Sequence, residues 1–534
     1  MSLTLQTLVL LLIAIAAVAV AETRLRIPSA ILLVITGVVL ALIPGVPDME
    51  LAPELVLLLV LPPLIYTSAV GMSWREFRRN LRPISLLAVG CVAFTTVVVA
   101  AAAHWALGLS WPVGFVLGAI VSPPDSVAPL AVARRMQLPH RILVVLEGEG
   151  SANDATALVL YRFAVAAVSL GTFSAGEAAT TFVAIVAGEI TWGLGVGWLM
   201  LRLRRWVGDP RIELTLSVIS PYFAYWPPEH LGGSGVLATV CAGLYMSWNG
   251  LNLISAATRL QGIFFWDFLI YLVEGLVFLI TGLQAHALME RISQYPLRQL
   301  AAAAAIVAAV VIVARFVWVF PAAYIPRWLF PRLRRRDPIP PWQWTFVTAF
   351  TGVRGIVSMA AALAIPFATA SGAAFPDRDL VVFLTFSVIL ITLVGQGLLL
   401  PAVIRVLGLA NTGRREHASE RADEYKARRE AALAAAARLD ELAAAGAVSR
   451  EAIEWMRVYL RHRLERIDQG SDGNAHHRHL RHVHDEVELL MIRTERSYIN
   501  GRYRDGFLSD AVRRRIEREL DLRESELRND RAAD

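Results

Sequence analysis

The side chains best suited to chemistry lie in EGEGSANDATAL, residues 147–158, near the middle of a long apolar stretch. Glu147, Glu149, Asn153 and Asp154 occur there within a segment longer than the about 20 residues that a membrane-spanning helix needs. Carboxylates inside a bilayer are costly, and they mark ion or proton pathways. We therefore expect a cation or proton site. A set of mutually neutralised structural ion pairs is the alternative.

Helical periodicity divides these side chains between two faces of the segment. At about 100° per residue, Ser151 and Asp154 share a stripe with Glu147, whereas Glu149 and Asn153 share the neighbouring face. Carboxylate, amide and hydroxyl oxygens are the ligands that hard cations prefer. The spacing therefore places several such oxygens within about two turns of the helix.

The composition indicates a membrane protein with many crossings. The 534 residues are 56% hydrophobic with a mean hydropathy of +0.52, and only 18% are charged, against about 25% in soluble proteins. The pI of about 9.5 does not indicate nucleic-acid binding, because the basic residues lie in short loops between apolar segments. The two cysteines both lie in apolar segments, so we expect no zinc site, and we expect no cofactor.

Apolar segments define the expected topology of the chain. Thirteen occur, at 3–21, 28–44, 52–70, 82–104, 111–133, 141–170, 177–201, 212–226, 231–248, 263–286, 299–325, 342–367 and 380–407. With the N-terminus outside, the inner loops hold nineteen arginines and the outer loops hold three. This bias predicts an external N-terminus and a cytoplasmic C-terminus. The expected fold class is an all-α polytopic membrane protein with about thirteen transmembrane helices.

The character of the chain changes after Leu409. We expect a transmembrane exchange domain over 1–410 and a cytoplasmic helical regulatory tail over 411–534, where charges alternate with apolar residues at helical spacing. A cytoplasmic regulator could bind this tail. The histidine-rich run 476–484 is interpreted as a solvated basic surface, with a metal site or a pH-sensing patch as alternatives.

Segments five and twelve are expected to be broken near the bilayer midplane. Segment five carries Pro124 followed by Asp125, and proline removes a helical hydrogen bond. Segment twelve carries Gly352, Arg354 and Gly355 at a comparable depth. Paired interruptions in two halves of opposite orientation are typical of inverted-repeat transporters. Ordinary kinks in packed helices would explain either segment alone but explain the pair poorly.

The two breaks also suggest partners for the buried charges. Half-helices that meet at a break bring like dipole ends together, so Asp125 suits two N-termini and Arg354 suits two C-termini. Arg315 in segment eleven needs a partner, and Glu149 is a candidate. Asp154 is then left without a fixed counter-charge, and such a carboxylate can hold either a proton or a cation.

We expect the oxygen ligands to come from Asp154, Asn153, Ser151 and Glu149, and from carbonyls freed near Pro124. Three further carboxylates, Glu189, Asp267 and Glu274, are interpreted as polar contacts between helices rather than as ligands.

The chain resembles the monovalent cation:proton antiporter-1 family, the bacterial sodium/proton exchangers related to animal Na+/H+ exchangers. The stretches that carry the resemblance are LPPLIY through LLAVG (61–90), VSPPDSVAP, LEGEGSANDATALV, LVEGLVFLITGLQ and GVRGIVSMAAALAIP. They occur in the family's order. The resemblance implies a homodimer with an interface domain and a six-helix core, alternating access in the bacterial inner membrane, and a role in pH and sodium homeostasis.

The same resemblance implies that Asn153 and Asp154 are the ion-site pair, with Na+ bound at Asp154 in competition with a proton. It also implies electroneutral exchange of one cation per proton, because Asn153 cannot titrate. The chain departs from the family at Pro124, where a threonine is usual, and at Gly150, where a serine is usual. Both losses remove a hydroxyl from the family's cation shell, so the choice among Na+, Li+ and K+ stays open.

Two other classes of protein fit the sequence less well than a sodium/proton antiporter. A cation channel would need a continuous pore with repeated carbonyl or charge rings, and no such filter occurs in the sequence. An intramembrane aspartyl hydrolase could use Asp125 and Asp154 as a dyad, but a helix crossover explains the prolines and Arg354 better. A secondary transporter, not an enzyme, is expected, with membrane lipid as its surroundings and a K+/H+ antiporter as the nearest alternative.

Overall fold

The computed structural model describes residues 5–25, 27–43, 52–170, 175–207, 209–250, 256–369, 372–446, 448–471, 475–505, 507–508 and 510–533. These residues are almost entirely helical, and the only extended pairing among them is an isolated bridge between Ala368 and Ala374. The chain forms two compact units, Met1–Arg414 and Arg415–Asp534. The expected all-α class is confirmed.

The first half of the membrane unit is built from helices that pack in a bundle. They are α1 (Leu5–Leu25), α2 (Ser29–Ala41), α3 (Leu61–Gly71), α4 (Trp74–Arg79), α5 (Leu81–Ser85), α6 (Val92–Leu107), α7 (Trp111–Val121), α8 (Val127–Arg135) and α9 (His140–Leu170). π-helical turns at Leu55–Val60 and Leu86–Cys91 lead into α3 and α6. Gly108, with φ of +74°, ends α6 in a left-handed conformation that glycine adopts without strain.

The second half continues the bundle with longer helices. They are α10 (Ala175–Arg204), α11 (Pro210–His230), α12 (Val236–Asn249), α13 (Ala256–Arg291), α14 (Leu297–Leu329), α15 (Pro331–Arg336), α16 (Trp342–Phe350), α17 (Ile356–Leu363), α18 (Arg378–Leu390) and α19 (Gly397–Val406). A π-helical turn at Ile391–Gln396 joins the last two.

Six stretches of the described chain are long and apolar enough to cross a membrane by themselves. They are Gln6–Leu25, Leu81–Leu107, Thr180–Arg204, Thr258–Arg291, Leu297–Leu329 and Arg378–Val406, and three shorter apolar helices accompany them. The charges within α9 and the breaks within the segments at 111–133 and 342–367 lower the apolar content or the length of the others. The number of thirteen crossings therefore stays a prediction.

The two expected helix breaks are present, and they cross. Residues 122–126 separate α7 from α8, and residues 351–355 separate α16 from α17. The backbone N–H of Asp125 donates to the carbonyl of Val353 at 2.7 Å. The two unwound segments thus satisfy part of each other's backbone, as irregular backbone at membrane depth must be satisfied within the protein.

Close helix packing through glycine fixes the position of α13. A methyl group built on Gly37 of α2 would lie 2.8 Å from the Cα of Gly282 in α13, and the converse distance is also 2.8 Å. Small residues permit such contacts between membrane helices, where van der Waals packing replaces the hydrophobic effect. The backbones of α2 and α13 are therefore in direct contact.

The second unit consists of charged helices, two of which share a small apolar core. It holds most of α20 (Leu409–Ala444), together with α21 (Arg450–Ser471), α22 (Ala475–Arg504) and α23 (Asp510–Ala533). Leu489 and Ile492 of α22 pack with Leu520 and Leu527 of α23. The side chains of the histidine-rich run 476–484 lie outside the described part of the structure.

Candidate cation site

Asp125 lies where the N-termini of two half-helices meet. Its Oδ1 accepts a hydrogen bond from the backbone N–H of Val127 at 2.9 Å, and the N–H of Ile356 also donates to the carboxylate. A Cβ on Gly355 would collide with Oδ2 of Asp125, so glycine is needed for this approach. The first N–H groups of a helix have no partner within that helix, and they favour a negative charge. Asp125 is therefore held as a carboxylate cap for α8 and α17.

Arg354 lies at the opposite, C-terminal ends of the broken helices. Its Nε donates to the carbonyl of Val121 at 2.7 Å and its Nη2 to that of Ser122 at 3.3 Å. Its Nη1 donates to the carbonyl of Gly352, and its backbone N–H donates to the Thr392 hydroxyl at 3.0 Å. Unpaired helix carbonyls carry partial negative charge, which a guanidinium offsets. Arg354 thus binds backbone carbonyls of both breaks.

Glu149 and Arg315 form a buried bidentate ion pair. Arg315 Nη1 donates to Oε1 of Glu149 at 2.5 Å and Nη2 to Oε2 at 2.8 Å, with the side chains 1% and 2% exposed. Arg315 also donates to the carbonyl of Thr348. Gly352 makes room for this arginine, because a Cβ there would collide with its Cδ. The pair neutralises the carboxylate nearest to Asn153 on the same face of α9.

Asn153 connects α9 to the break in segment five. Its Nδ2 donates to the carbonyl of Pro124 at 2.6 Å, so the proline supplies a backbone oxygen where its side chain has no hydroxyl. The buried Oδ1 of Asn153 has no hydrogen-bond partner among the described residues. An unpaired buried oxygen is unfavourable unless a ligand or water completes it.

Asp154 differs from Glu147 and Glu149 of the same helix, because no arginine is paired with it. Its side chain is 9% exposed, and no hydrogen bond or ion pair joins it to the part of the chain that the structure describes. One turn earlier, the Ser151 hydroxyl donates to the carbonyl of Glu147 at 2.8 Å and lies 3.0 Å from the Ser68 hydroxyl of α3. Hydroxyl oxygens from two helices thus line the same wall as Asp154.

Asp154 faces a cavity of about 590 Å³ that α3, α8, α9, α13 and α17 enclose. Asp125, Ser151, Gly150 and Pro124 also line it. Its mouth lies beside the ion pair of Arg134 with Glu147, whose arginine side chain is 65% exposed. The cavity therefore leads from one end of the bundle to the crossing of the broken helices.

Three residues of this cavity were not assigned to the site from the sequence. Ser126 and Ser68 contribute hydroxyls, and Glu274 of α13 contributes a carboxylate near Asp125. Asp267, which is exposed, also lines the cavity. By contrast, Glu189 accepts hydrogen bonds from the N–H groups of Ser234, Gly235 and Leu237 and caps α12.

Ser126 takes the space that a side chain at position 150 would need. A Cβ on Gly150 would collide with the Oγ of Ser126. Ser126 is the N-cap residue of α8, yet its hydroxyl makes no capping hydrogen bond, although serine usually does so at this position. The hydroxyl is directed at α9 instead. The sequence signal that could have found it is the coincidence of a glycine in the ion motif with a serine after Asp125.

The chain is similar to known ion exchangers. A family profile described as "Sodium/hydrogen exchanger, transmembrane" matches residues 8–406. An uncharacterized Na+/H+ exchanger of Mycobacterium tuberculosis is 38% identical over 386 residues, which cover 72% of this chain and 70% of that protein. A sodium, potassium, lithium and rubidium/H+ antiporter of Bacillus pumilus is 33% identical over 386 residues, covering 70% of this chain and 57% of the relative.

The fold is also similar to that of a solved structure. The sodium proton antiporter MjNhaP1 from Methanocaldococcus jannaschii at pH 8 matches with a TM-score of 0.57 and 19% identity, over 75% of this chain and 98% of that chain. The likeness supports the arrangement of the helices. Because the family profile covers most of the membrane unit and a 38% identical relative covers 72% of the chain, the protein belongs to the sodium/hydrogen exchanger family.

Proposed function

We propose that the protein exchanges a monovalent cation for a proton across the bacterial inner membrane, with both ions binding in turn at Asp154. Na+ is the first candidate and Li+ and K+ are the alternatives, since the named relatives include exchangers of several of these ions. The observation that carries the proposal is a buried carboxylate of the acidic motif without a counter-charge, Asp154, which lines a 590 Å³ cavity beside the crossing broken helices.

The charge balance around Asp154 supports competition between a proton and a cation. Glu149 is neutralised by Arg315, and Asp125 is stabilised by two helix N-termini. The described residues offer Asp154 no counter-charge, so a proton or a cation from solution must supply it. A desolvated carboxylate favours its neutral form until a cation replaces the proton. One group can then serve both halves of the exchange cycle.

The oxygens near Asp154 suit a dehydrated alkali cation. We assign its shell to the Asp154 carboxylate, the hydroxyls of Ser151 and Ser126, and the unpaired Oδ1 of Asn153. In this proposal Ser126 replaces the hydroxyl that is absent at Gly150. Glu149 and Arg354 act on the site by holding its geometry rather than by contacting the ion.

The field of the cavity favours the entry of cations. Asp125, Asp154, Asp267, Glu274 and Glu147 line it, and Arg134, which binds Glu147, is the only basic side chain among the described lining residues. A cleft lined by one sign of charge raises the local concentration of counter-ions. We place the mouth on the cytoplasmic side, because the arginine-rich loops flank it.

In this proposal an ion pair on the far side of Asp154 closes the site from the opposite end of the bundle. Arg162 of α9 lies two turns beyond Asp154 and donates to Glu229 of α11. Alternating access would require this contact to separate when the site opens to the other side.

The external N-terminus, the homodimer and regulation through the tail are further parts of the proposal and rest on the arginine distribution and the family resemblance.

We infer that one proton moves for each cation. Asp154 carries the proton, Asn153 cannot titrate, and Glu149 stays paired with Arg315.

A channel or an aspartyl hydrolase fits the site less well. A hydrolytic dyad needs two carboxylates that share a proton, but the Asp125 carboxylate accepts from the backbone N–H groups of Val127 and Ile356, and among the described residues no hydrogen bond joins it to Asp154.

Transport by the purified full chain in proteoliposomes tests this function. An outward or inward gradient of Na+, Li+ or K+ is imposed in turn, and internal pH is followed with a fluorescent dye. If the protein is an exchanger, protons move in the direction opposite to the flow of at least one of these cations. An imposed membrane potential should not change the rate. Cation flux without proton movement, or no flux with any of the three ions, would overturn the proposal. Protein-free liposomes are the control.

A further inference from the structure

A second charged cluster lies outside the cation cavity, where three arginines converge on Asp337. Arg327 Nη2 donates to Oδ2 of Asp337 at 2.6 Å, Arg141 Nη2 to Oδ1 at 2.5 Å, and Arg82 Nη1 to Oδ2 at 3.3 Å. Arg82 lies at the start of α5, Arg141 at the start of α9 and Arg327 near the end of α14. Asp337 follows α15, so four separate elements meet at this carboxylate.

The cluster carries more positive than negative charge. The charged groups that act on Arg82 are Asp337 and Arg141, and those that act on Arg327 are Asp337, Arg82 and Arg141. Among the described residues, three guanidinium groups therefore share a single carboxylate. The side chains of Arg82 and Arg141 are 28% and 35% exposed, so both can reach a ligand. Two positive charges remain to be balanced.

An apolar cavity of about 90 Å³ adjoins these arginines. Its walls include Leu86, Leu87, Val145, Val319 and Trp344, together with the three arginines themselves. Arg82 lines this cavity, and within the described part of the chain its guanidinium hydrogen-bonds to Asp337 alone. A basic rim next to an apolar wall thus lies at the end of the bundle that carries most of the loop arginines.

We propose that this cluster binds the phosphate diester of an anionic phospholipid, with the start of an acyl chain in the adjoining cavity. Guanidinium groups bind phosphate oxygens through paired hydrogen bonds, and Arg is suited to this geometry. Basic pockets between membrane helices at the cytoplasmic side are suited to acidic headgroups. The apolar wall favours a lipid over free phosphate. This site is independent of the cation cavity and of the proposed exchange.

Lipid binding to the full chain in neutral detergent tests the proposal. The melting temperature is measured against rising phosphatidylglycerol, phosphatidylcholine or inorganic phosphate, since a ligand of the folded state raises it. We expect a rise with phosphatidylglycerol alone. Each single substitution, Arg82→Gln or Arg141→Gln, should raise the apparent Kd for phosphatidylglycerol by about fivefold. The reason is that each basic residue near an anionic headgroup contributes about 1 kcal/mol.

A matched control removes two arginine charges from another place at the same end of the bundle. Arg75→Gln with Arg78→Gln, on the exposed face of α4, should keep the full effect of phosphatidylglycerol. Equal melting shifts in the parent and in the Arg82→Gln/Arg141→Gln variant would overturn the proposal. An equal shift with inorganic phosphate would overturn its lipid part.

A second variant keeps the test valid if the double variant does not fold. Ala322→Phe places a ring in the cavity without changing charge. It should reduce the shift with phosphatidylglycerol, and an unchanged shift would contradict an acyl chain in this cavity.

Discussion

Arg315 binds both carboxylate oxygens of Glu149, at 2.5 and 2.8 Å, and this buried pair leaves Asp154 as the un-neutralised carboxylate of α9's inner face. The contact gives the two carboxylates different roles in our proposal: Glu149 is a structural charge, and Asp154 is the group that exchanges ions. The two carboxylates are five positions apart in the sequence, but only that of Asp154 faces the cavity.

Removing one partner of this pair should destabilise the protein strongly. In Arg315→Leu, Glu149 would remain buried without a counter-charge, which costs about 3–5 kcal/mol. The double variant Arg315→Leu/Glu149→Leu should be more stable than the single one, because no charge is stranded. Melting temperatures in detergent measure both. A single variant that melts like the parent would show that water, not Arg315, solvates Glu149.

The hydroxyl of Ser126 should contribute to cation affinity. Ser126→Ala should raise the apparent Km for the transported cation by about fivefold, as expected for one lost polar contact, with the melting temperature unchanged. Gly150→Ser alone should be harmful, because the new side chain collides with Ser126.

The double substitution Ser126→Gly/Gly150→Ser is the decisive test of this hydroxyl. It moves the oxygen from α8 to α9 and removes the collision, so the apparent Km should return towards that of the parent. A double variant as poor as Ser126→Gly alone would show that position 150 cannot supply the ligand.

Glu274 should attract cations into the cavity without being essential to the cycle. Glu274→Gln removes one of the lining carboxylates, so the apparent Km should rise while the maximal rate is largely kept. Raising the ionic strength with a non-transported salt should reduce the difference, because salt screens the field of the cavity. Glu290→Gln, in the same helix but outside the cavity, is the matched control and should change neither value.

The sequence predicted the two broken helices because proline and glycine interrupt two apolar segments at similar depth. It also suggested Glu149 for Arg315, since a buried arginine requires a partner. It did not predict Ser126, because a serine that follows PPD resembles an ordinary helix cap, and its actual direction depends on contact with α9. It did not place Glu274, because the rotation of α13 is fixed by the Gly37–Gly282 contact with α2. Local patterns thus identify the charged residues, whereas tertiary packing decides which of them face the cavity.

Competition at Asp154 predicts the direction of the pH dependence. As pH falls, more of the carboxylate is protonated and more cation is needed to displace the proton. The apparent Km should therefore rise, by up to about tenfold per unit, while the maximal rate at saturating cation is kept. Deletion of residues 415–534 should leave this dependence in place, since the competing group lies in the membrane unit. A truncated protein whose apparent Km no longer varied with pH would place the sensor in the tail.

The most direct measurement is cation-driven proton movement by Asp154→Asn in proteoliposomes. The substitution keeps the size of the side chain and removes the charge that both ions are proposed to balance. Asp267→Asn, at the exposed part of the cavity, is the matched control and should retain exchange. We expect Asp154→Asn to melt at the parent's temperature or above and to show no exchange with Na+, Li+ or K+. Proton movement at the parent's rate in this folded variant would contradict the assignment of Asp154 as the site of exchange.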